Sequence, residues 1–173
     1  WATMLPLERI HQQSAQEFAR WGQALAQTMG EELTLDYRPR LPPTTALTLL
    51  SRQDYPGGAG DPATILRFAW PAGRGLRRFA AGDLLAVLAP GSAVPRFYSL
   101  ASAYEDGFVE ICVRKMPGGL CSNHLHSLQP GNRVQAFVRA NPAFALESTR
   151  RPVMLIGAGT GVAPLAGFIR SNT

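Results

Sequence analysis

Lysine, cysteine and long apolar runs are all scarce in this chain of 173 residues, and each scarcity excludes a class of protein. The two cysteines, Cys112 and Cys121, are too few for a disulfide framework and lack the spacing of a metal site. We therefore expect reduced thiols and a cytoplasmic protein, or the cytoplasmic side of a membrane-anchored parent. The longest apolar run, residues 84–94, is broken by Pro90 and Gly91, so no direct membrane span is expected.

Positive charge comes almost entirely from arginine, with 17 Lys and Arg residues against 12 Asp and Glu and a net charge of +5. The arginines are scattered in small groups, and no basic helix or interleaved aromatic stripe accompanies them. We therefore expect no nucleic-acid partner. The planar guanidinium fork grips phosphate and carboxylate groups bidentately, which favours phosphate-bearing small molecules or an acidic protein partner.

The histidines do not predict a metal site. His124 and His126 are two residues apart, which on a helix places them about 200° from each other, on different faces. No carboxylate lies near them in the sequence. Sequence context indicates no Ser-His-Asp or Cys-His arrangement either.

The pattern of short strands predicts a mainly β protein built on a six-stranded antiparallel barrel with one short helix. Residues 8–29 have apolar side chains at helical spacing and end at Gly30, and residues 37–43 form a proline-rich linker. A helix over 122–128, with Cys121 or Ser122 at its cap, interrupts the strand series. The predicted strands, separated by Gly, Pro and Asp turns, are 45–50, 64–70, 84–88, 96–101, 108–115 and 134–138.

The pattern changes after residue 151. The continuous apolar run 153–156 predicts a buried parallel strand, followed by a glycine turn and a helix from about Ala163. This is the first β-α unit of an α/β nucleotide-binding domain. We therefore predict three segments: residues 1–43 as an N-terminal helix with its linker, 44–150 as the barrel, and 151–173 as the start of the second domain.

Three clusters carry the chemistry, and the first is Arg96-Phe97-Tyr98-Ser99. Strand alternation places Arg96 and Tyr98 on one face, where a guanidinium could hold a pyrophosphate and a ring could stack on an aromatic ligand. Taken alone, the tetrapeptide also fits an ordinary barrel strand with an exposed arginine and a half-buried tyrosine.

The other two clusters are glycine-rich turns that lead into helices. Gly119-Leu120-Cys121-Ser122 offers free amides and a hydroxyl to an anion, although a loop with a serine cap explains the same residues. Gly157-Ala158-Gly159-Thr160-Gly161 follows an apolar run and opens a helix, which is the context of a phosphate-binding turn; a plain tight turn is the alternative. Three such clusters in this order favour a bound dinucleotide with a flat ring.

With these motifs the chain resembles the flavin-binding module of the ferredoxin–NADP reductase superfamily, of the diflavin reductase and sulfite reductase flavoprotein type. The resemblance extends from about Thr44 to Arg170. It is strongest over 82–83, 96–102, 111–128, 141–144 and 157–169. The long helical insert of the larger diflavin reductases is absent between Leu88 and Arg96.

The resemblance assigns a role to each candidate site residue. It implies an FAD cofactor with Arg96 on the flavin phosphates, Phe97 beside it, Tyr98 stacked on the isoalloxazine, and Ser99 near flavin N5 as the catalytic residue. Val113 and Arg114 would flank the flavin, and Arg114 would extend toward the NADPH phosphates. The pyrophosphate cradle would be Gly119, Leu120, Cys121 and Ser122. A partial NADPH site would be Gly157, Gly159, Thr160 and Gly161.

The resemblance also implies the activity. The parent would be an NADPH-dependent flavin oxidoreductase that accepts hydride from NADPH and passes electrons to an FMN, iron–sulfur or haem partner. Residues 8–29 look like the last helix of a flavodoxin-like domain, and the chain is expected to turn over NADPH poorly by itself. The alternatives are an FMN-binding reductase of the same superfamily and a non-catalytic flavin-carrier or docking module.

Overall fold

The computed structural model describes residues 15–33, 41–58, 60–71, 78–146 and 152–172. The chain forms two compact units, residues 1–42 and residues 43–173. The first unit contains helix α1 (Ala15–Met29), in which the rings of Phe18 and Trp21 lie 5.6 Å apart. The helix predicted over 8–29 is confirmed over α1; its first turns and most of the predicted linker lie outside the described residues.

The second unit is built on a single antiparallel sheet of six strands. The strands are β1 (Thr45–Tyr55), β2 (Ala63–Ala69), β3 (Leu84–Leu88), β4 (Arg96–Ser99), β5 (Phe108–Arg114) and β6 (Arg133–Arg139). Their order in the sheet is β4-β3-β6-β1-β2-β5. A bridge between Leu100 and Ile111 joins the two outer strands, which closes the sheet into the predicted barrel.

Strand β1 is longer than predicted because it serves both halves of the barrel. Its first residues pair with β6, the register shifts between Leu49 and Ser51, and the remainder pairs with β2. The shift is a bulge, which bends the strand and breaks the alternation of buried and exposed side chains. Leu47 and Leu49 point into the core, whereas residues 53–55 are polar and exposed.

Helix α2 (Leu120–Ser127) covers the barrel through the buried side chain of Leu125. The helix begins two residues before the predicted start, and its cap is Gly119 in an extended conformation, so the prediction of Cys121 or Ser122 as the cap was wrong. Both residues belong to the first helical turn.

The far end of α2 is tied to β1 and β5. The Arg52 guanidinium in β1 donates to the carbonyls of His126 at 2.9 Å and Leu128 at 2.6 Å. The Nε2 of His126 donates to the carbonyl of Val113 at 3.0 Å. Asp54 holds Arg52 in place by accepting from its Nε and Nη2, and this interaction lowers the pKa of the Asp54 carboxyl. The barrel therefore satisfies the carbonyl of His126 in the last turn of α2 and that of Leu128, the residue after the helix.

The buried parallel strand predicted over 153–156 is not formed. This run has no regular secondary structure, and Val153, Met154 and Ile156 are exposed by 50%, 83% and 84%. A parallel strand requires neighbouring strands for its hydrogen bonds, and none of the six described strands pairs with this run. The predicted helix that follows is confirmed as α3 (Ala163–Arg170), which is preceded by a 3-10 turn over Gly159–Val162.

Candidate functional site

A cavity of about 590 Å³ opens between β4, the turn before α2 and the first turn of α2. It brings the first two sequence clusters together, although some 20 residues separate them in the chain. The lining residues are Ala89, Ser92, Val94, Arg96, Phe97, Tyr98, Met116, Pro117, Gly118, Gly119, Leu120, Cys121 and Ser122.

Three consecutive residues of β4 line one side of this cavity. Arg96 is exposed, whereas Phe97 and Tyr98 are half-buried. The Phe97 ring meets the Phe137 ring edge-on at 6.4 Å, and the guanidinium of Arg139 lies 5.1 Å from its centroid. This side therefore offers a cation and two aromatic rings to the cavity.

Tyr98 and Cys121 form a neutral pair at the junction of β4 and α2. The Tyr98 hydroxyl interacts with the Cys121 sulfur, and the Cys121 thiol lies 3.9 Å from the carbonyl oxygen of Val87. Burial, and then the interaction with Cys121, raises the pKa of Tyr98, and burial raises the pKa of Cys121. Both groups therefore stay protonated at neutral pH, and Arg96 remains the charged group beside them.

The first turn of α2 presents its backbone amides without a side-chain cap. The first helical hydrogen bond runs from the Asn123 amide to the Gly119 carbonyl at 3.0 Å, and the amides of residues 120–122 precede it. The Ser122 hydroxyl accepts from the Met116 amide and donates to the Gly119 carbonyl, each at 3.2 Å. These amides carry the partial positive charge of a helix start and suit an anion.

Glycine at position 119 is required by close packing. A Cβ atom there would lie 2.6 Å from the Ser122 hydroxyl oxygen and 3.0 Å from Cβ of Met116. A side chain at the centre of the turn from 116 to 122 would therefore displace the Ser122 hydroxyl and press against Met116. This close packing fixes where the amides of the next three residues are presented.

Three other predicted site residues lie outside the cavity lining. Ser99 ends β4 and pairs with Leu84 in β3. The Val113 side chain is buried in the core, where it cannot line this cavity, and only its carbonyl serves α2. Arg114 is exposed, with its Nε 3.9 Å from a carboxylate oxygen of Asp61.

The third cluster lies apart from the cavity lining. Gly157 is in the exposed run, whereas Gly159, Thr160 and Gly161 form the 3-10 turn that leads into α3 and contacts β5. The structure therefore brings together two of the three clusters. Sequence reasoning missed Ser92, Val94 and Met116, because their segments contain only turn signals such as Pro90-Gly91 and Pro117-Gly118.

No group of three or more His, Cys, Asp or Glu side chains among the described residues could hold a metal ion. None of the described helices is both long and apolar enough to cross a membrane.

Comparison with known proteins gives consistent matches. Residues 60–137 match the family model described as the oxidoreductase FAD-binding domain. The toluate 1,2-dioxygenase electron transfer component of Pseudomonas putida is 36% identical over 91 residues, which cover 53% of this chain and 27% of that protein. The chain spans less than a third of the length of the first curated relatives that it matches.

Two solved structures extend the match to the fold. Amycolatopsis cytochrome P450 reductase aligns with a TM-score of 0.54 and 33% identity, covering 75% of this chain and 39% of that one. Ferredoxin–NADP+ reductase from Plasmodium falciparum aligns with a TM-score of 0.63 and 16% identity, covering 74% of this chain and 51% of that one. The second likeness concerns the fold alone.

Proposed function

We propose, given that the barrel of this chain is a flavin-binding module of the ferredoxin–NADP reductase superfamily, that it holds FAD as the electron-carrying core of an NAD(P)H-dependent oxidoreductase. The family resemblance drawn from the sequence is confirmed by these matches. The role of the whole protein and of each site residue is our proposal.

One observation carries the proposal: the rings and guanidinium of β4 and the open amides of α2 meet at a single cavity. Arg96 and the amides of residues 120–122 fit a pyrophosphate, because a bidentate fork and a helix start both favour phosphate oxygens. Tyr98 lines the cavity with an aromatic side chain, which fits a flat ring through its face. The donor set therefore fits FAD.

Bound FAD would supply the redox chemistry, accepting two electrons as hydride and releasing them singly. The residues of this chain bind and orient it. We assign Ser99, at the end of β4, to the reacting end of the flavin, and Val113 and Arg114 to its flanks. The cluster at 157–161 is assigned to the pyrophosphate of NADPH, so that residues 151–173 begin the nicotinamide-nucleotide domain and residues 1–43 precede the flavin module.

The electron acceptor is proposed to be an FMN, iron–sulfur or haem protein or domain. A relative named as an electron transfer component and a neighbour titled as a cytochrome P450 reductase support this class of partner. The exposed arginines of the module suit an acidic docking surface.

The first test is an absorbance scan of the purified protein, followed by release and chromatography of the bound chromophore. Flavin bands with FAD in the supernatant are expected. FMN would instead assign the chain to the FMN-binding reductases of the superfamily. A colourless protein that takes up neither flavin would contradict the proposal.

The second test concerns the phosphate contact. We expect Arg96→Ala to weaken FAD binding about 10- to 100-fold, because a hydrogen bond to a charged group contributes roughly 1.5–3 kcal/mol. The matched control is Arg133→Ala, which removes an exposed arginine of β6 outside the cavity. Equal FAD dissociation constants for the two variants, measured by flavin fluorescence, would remove Arg96 from the site.

A further inference from the structure

We propose that Gly167 and Arg170 of α3 are positioning residues that fix the glycine turn 157–161 relative to the flavin strand β4. The inference rests on the proposed function, because it assigns the turn to the nicotinamide nucleotide and β4 to the flavin. The contacts that carry it join α3 to the segment directly after Ser99. The sequence motifs do not indicate these contacts.

Gly167 permits the closest approach between the two parts. A Cβ atom at this position would lie 2.9 Å from the carbonyl oxygen of Leu100 and 3.4 Å from that of Ser102. The helix backbone therefore lies directly against the chain that leaves β4, one residue after Ser99. Any larger residue at 167 would push α3 away from this segment.

Arg170 fastens the last turn of the same helix to the same segment. Its Nη1 donates to the carbonyl of Ala101 at 2.9 Å and to Oε1 of Glu110 at 2.7 Å. The carboxylate of Asp106 lies 3.8 Å from the same nitrogen. One guanidinium thus joins α3 to the end of β4, to β5 and to the turn between them.

Glu110 gives this contact its strength. Its side chain is only 6% exposed, and its second oxygen accepts from Nε and Nη2 of Arg67 in β2 at 3.0 and 2.8 Å. A carboxylate so deeply buried requires its partners, because removal of one leaves part of the charge uncompensated. The pair with Arg67 lies within the barrel, whereas the pair with Arg170 connects the barrel to α3.

The apolar contact beside these residues completes the docking. Phe168 is buried, and its ring lies 5.4 Å from that of Phe144. The 3-10 turn at 159–162 contacts both α3 and β5. A shift of α3 would therefore move the glycine turn relative to β4, and errors of about 1 Å in the placement of reactants can lower a rate about 100-fold.

The experiment compares Arg170→Ala with Arg67→Ala, which removes the other arginine from the same carboxylate. We would measure hydrogen exchange on the FAD-loaded full chain. Relative to the unmutated chain, the amides of α3 should exchange at least about tenfold faster in Arg170→Ala and within about twofold of the same rate in Arg67→Ala. The β5 amides and the FAD dissociation constant serve as readouts of barrel integrity. In Arg170→Ala neither should change more than in Arg67→Ala, which leaves the same carboxylate partly uncompensated.

A second pair of variants tests the close approach. Gly167→Ala should increase α3 exchange as Arg170→Ala does, whereas Ile169→Ala, on the exposed side of the same helix, should not. In the full-length protein, the limiting rate of FAD reduction by NADPH should fall at least about tenfold in Gly167→Ala and Arg170→Ala. Arg170→Lys should recover part of that rate, because it keeps the charge.

The possible results separate the two proposals. Unchanged α3 exchange in both Arg170→Ala and Gly167→Ala would overturn the positioning role, even if FAD binds normally. Faster exchange with an unchanged reduction rate would also overturn it, by showing that docking of α3 does not position the turn. If the unmutated protein binds no FAD, the proposed function and the positioning role are both overturned.

Discussion

The two helices that follow glycine-rich turns, α2 and α3, have similar sequence signals and different surroundings. The turn before α2 is enclosed, since β4 and residues 116–119 surround the first amides of the helix and form a cavity. The turn before α3 follows the exposed run 153–156 and contributes nothing to that cavity. A glycine turn and a helix therefore indicate an anion site, but the packing around the turn decides whether a cavity is formed.

The two helices also differ in how they are anchored. Helix α2 is held at its end by Arg52, an arginine supplied by the barrel, whereas α3 carries its own arginine, Arg170. The first arrangement presents the start of the helix to a ligand. The second fixes the helix to the barrel and makes the turn before it a neighbour of β5.

The largest effect should come from filling the turn before α2. Gly119→Val would place side-chain atoms within contact of Ser122 and Met116, and overpacking of this kind typically costs about 1–3 kcal/mol. If the compact turn presents the amides, FAD binding should weaken on the order of 100-fold. Flavin fluorescence titration would measure this.

The control for that variant is Gly58→Val, in the loop after β1, where a Cβ atom meets nothing within 4 Å. FAD affinity should be unchanged in the control. A Gly119→Val protein that folds, as judged by circular dichroism, and binds FAD as tightly as the parent would show that the turn before α2 is not the site.

A smaller effect should follow from releasing the far end of α2. Arg52→Ala removes two charge-assisted hydrogen bonds to the carbonyls of His126 and Leu128, while the lining of the cavity remains complete. We expect FAD binding to weaken roughly 2- to 5-fold, because a cation at a helix end typically contributes about 0.3–1 kcal/mol and the freed helix loses its alignment. Stopped-flow measurement should show the change mainly in the dissociation rate.

Arg20→Ala in α1 is the control for this variant, because it removes an exposed arginine of the other compact unit. An Arg52→Ala protein whose dissociation rate equals that of the control would indicate that α2 keeps its place without the barrel arginine.

The smallest effect concerns alkaline pH and involves the Tyr98–Cys121 pair beside α2. Burial raises the pKa values of Tyr98 and Cys121, so the folded state prefers their protonated forms. Their contribution to stability is complete below the unfolded pKa values of about 8.5 for Cys and 10 for Tyr, and it is lost as the pH rises beyond them. The urea midpoint should therefore fall between about pH 8 and pH 10.5.

The test uses a Cys112→Ala background, because burial also raises the pKa of Cys112. Adding Cys121→Ala should make the fall with pH shallower. An equal slope with and without Cys121 would contradict the assignment of a buried neutral thiol.

The barrel could be predicted from the sequence because its β-rich runs are bounded by turn residues at regular intervals. The extension of β1 to Tyr55 could not, since a bulge and polar side chains hide it. The apolar run 153–156 was interpreted wrongly because apolarity indicates burial without showing which strands would pair with it. The contact of Arg170 with Glu110 joins residues 60 positions apart, and no local pattern indicates it.

The closure of the barrel has a consequence for self-association. Strands β4 and β5 are its outer strands. Among the described residues, the bridge between Leu100 and Ile111 and the hydrogen bond from the Ala101 amide to the Glu110 carbonyl join the end of β4 to β5. An open sheet edge is a template for pairing with another molecule. Helix α3 lies against this junction through Gly167 and Arg170, so it shields two strand edges from other chains. If α3 no longer lay against this junction, the edges of β4 and β5 would be exposed and could pair with another molecule, which would promote aggregation.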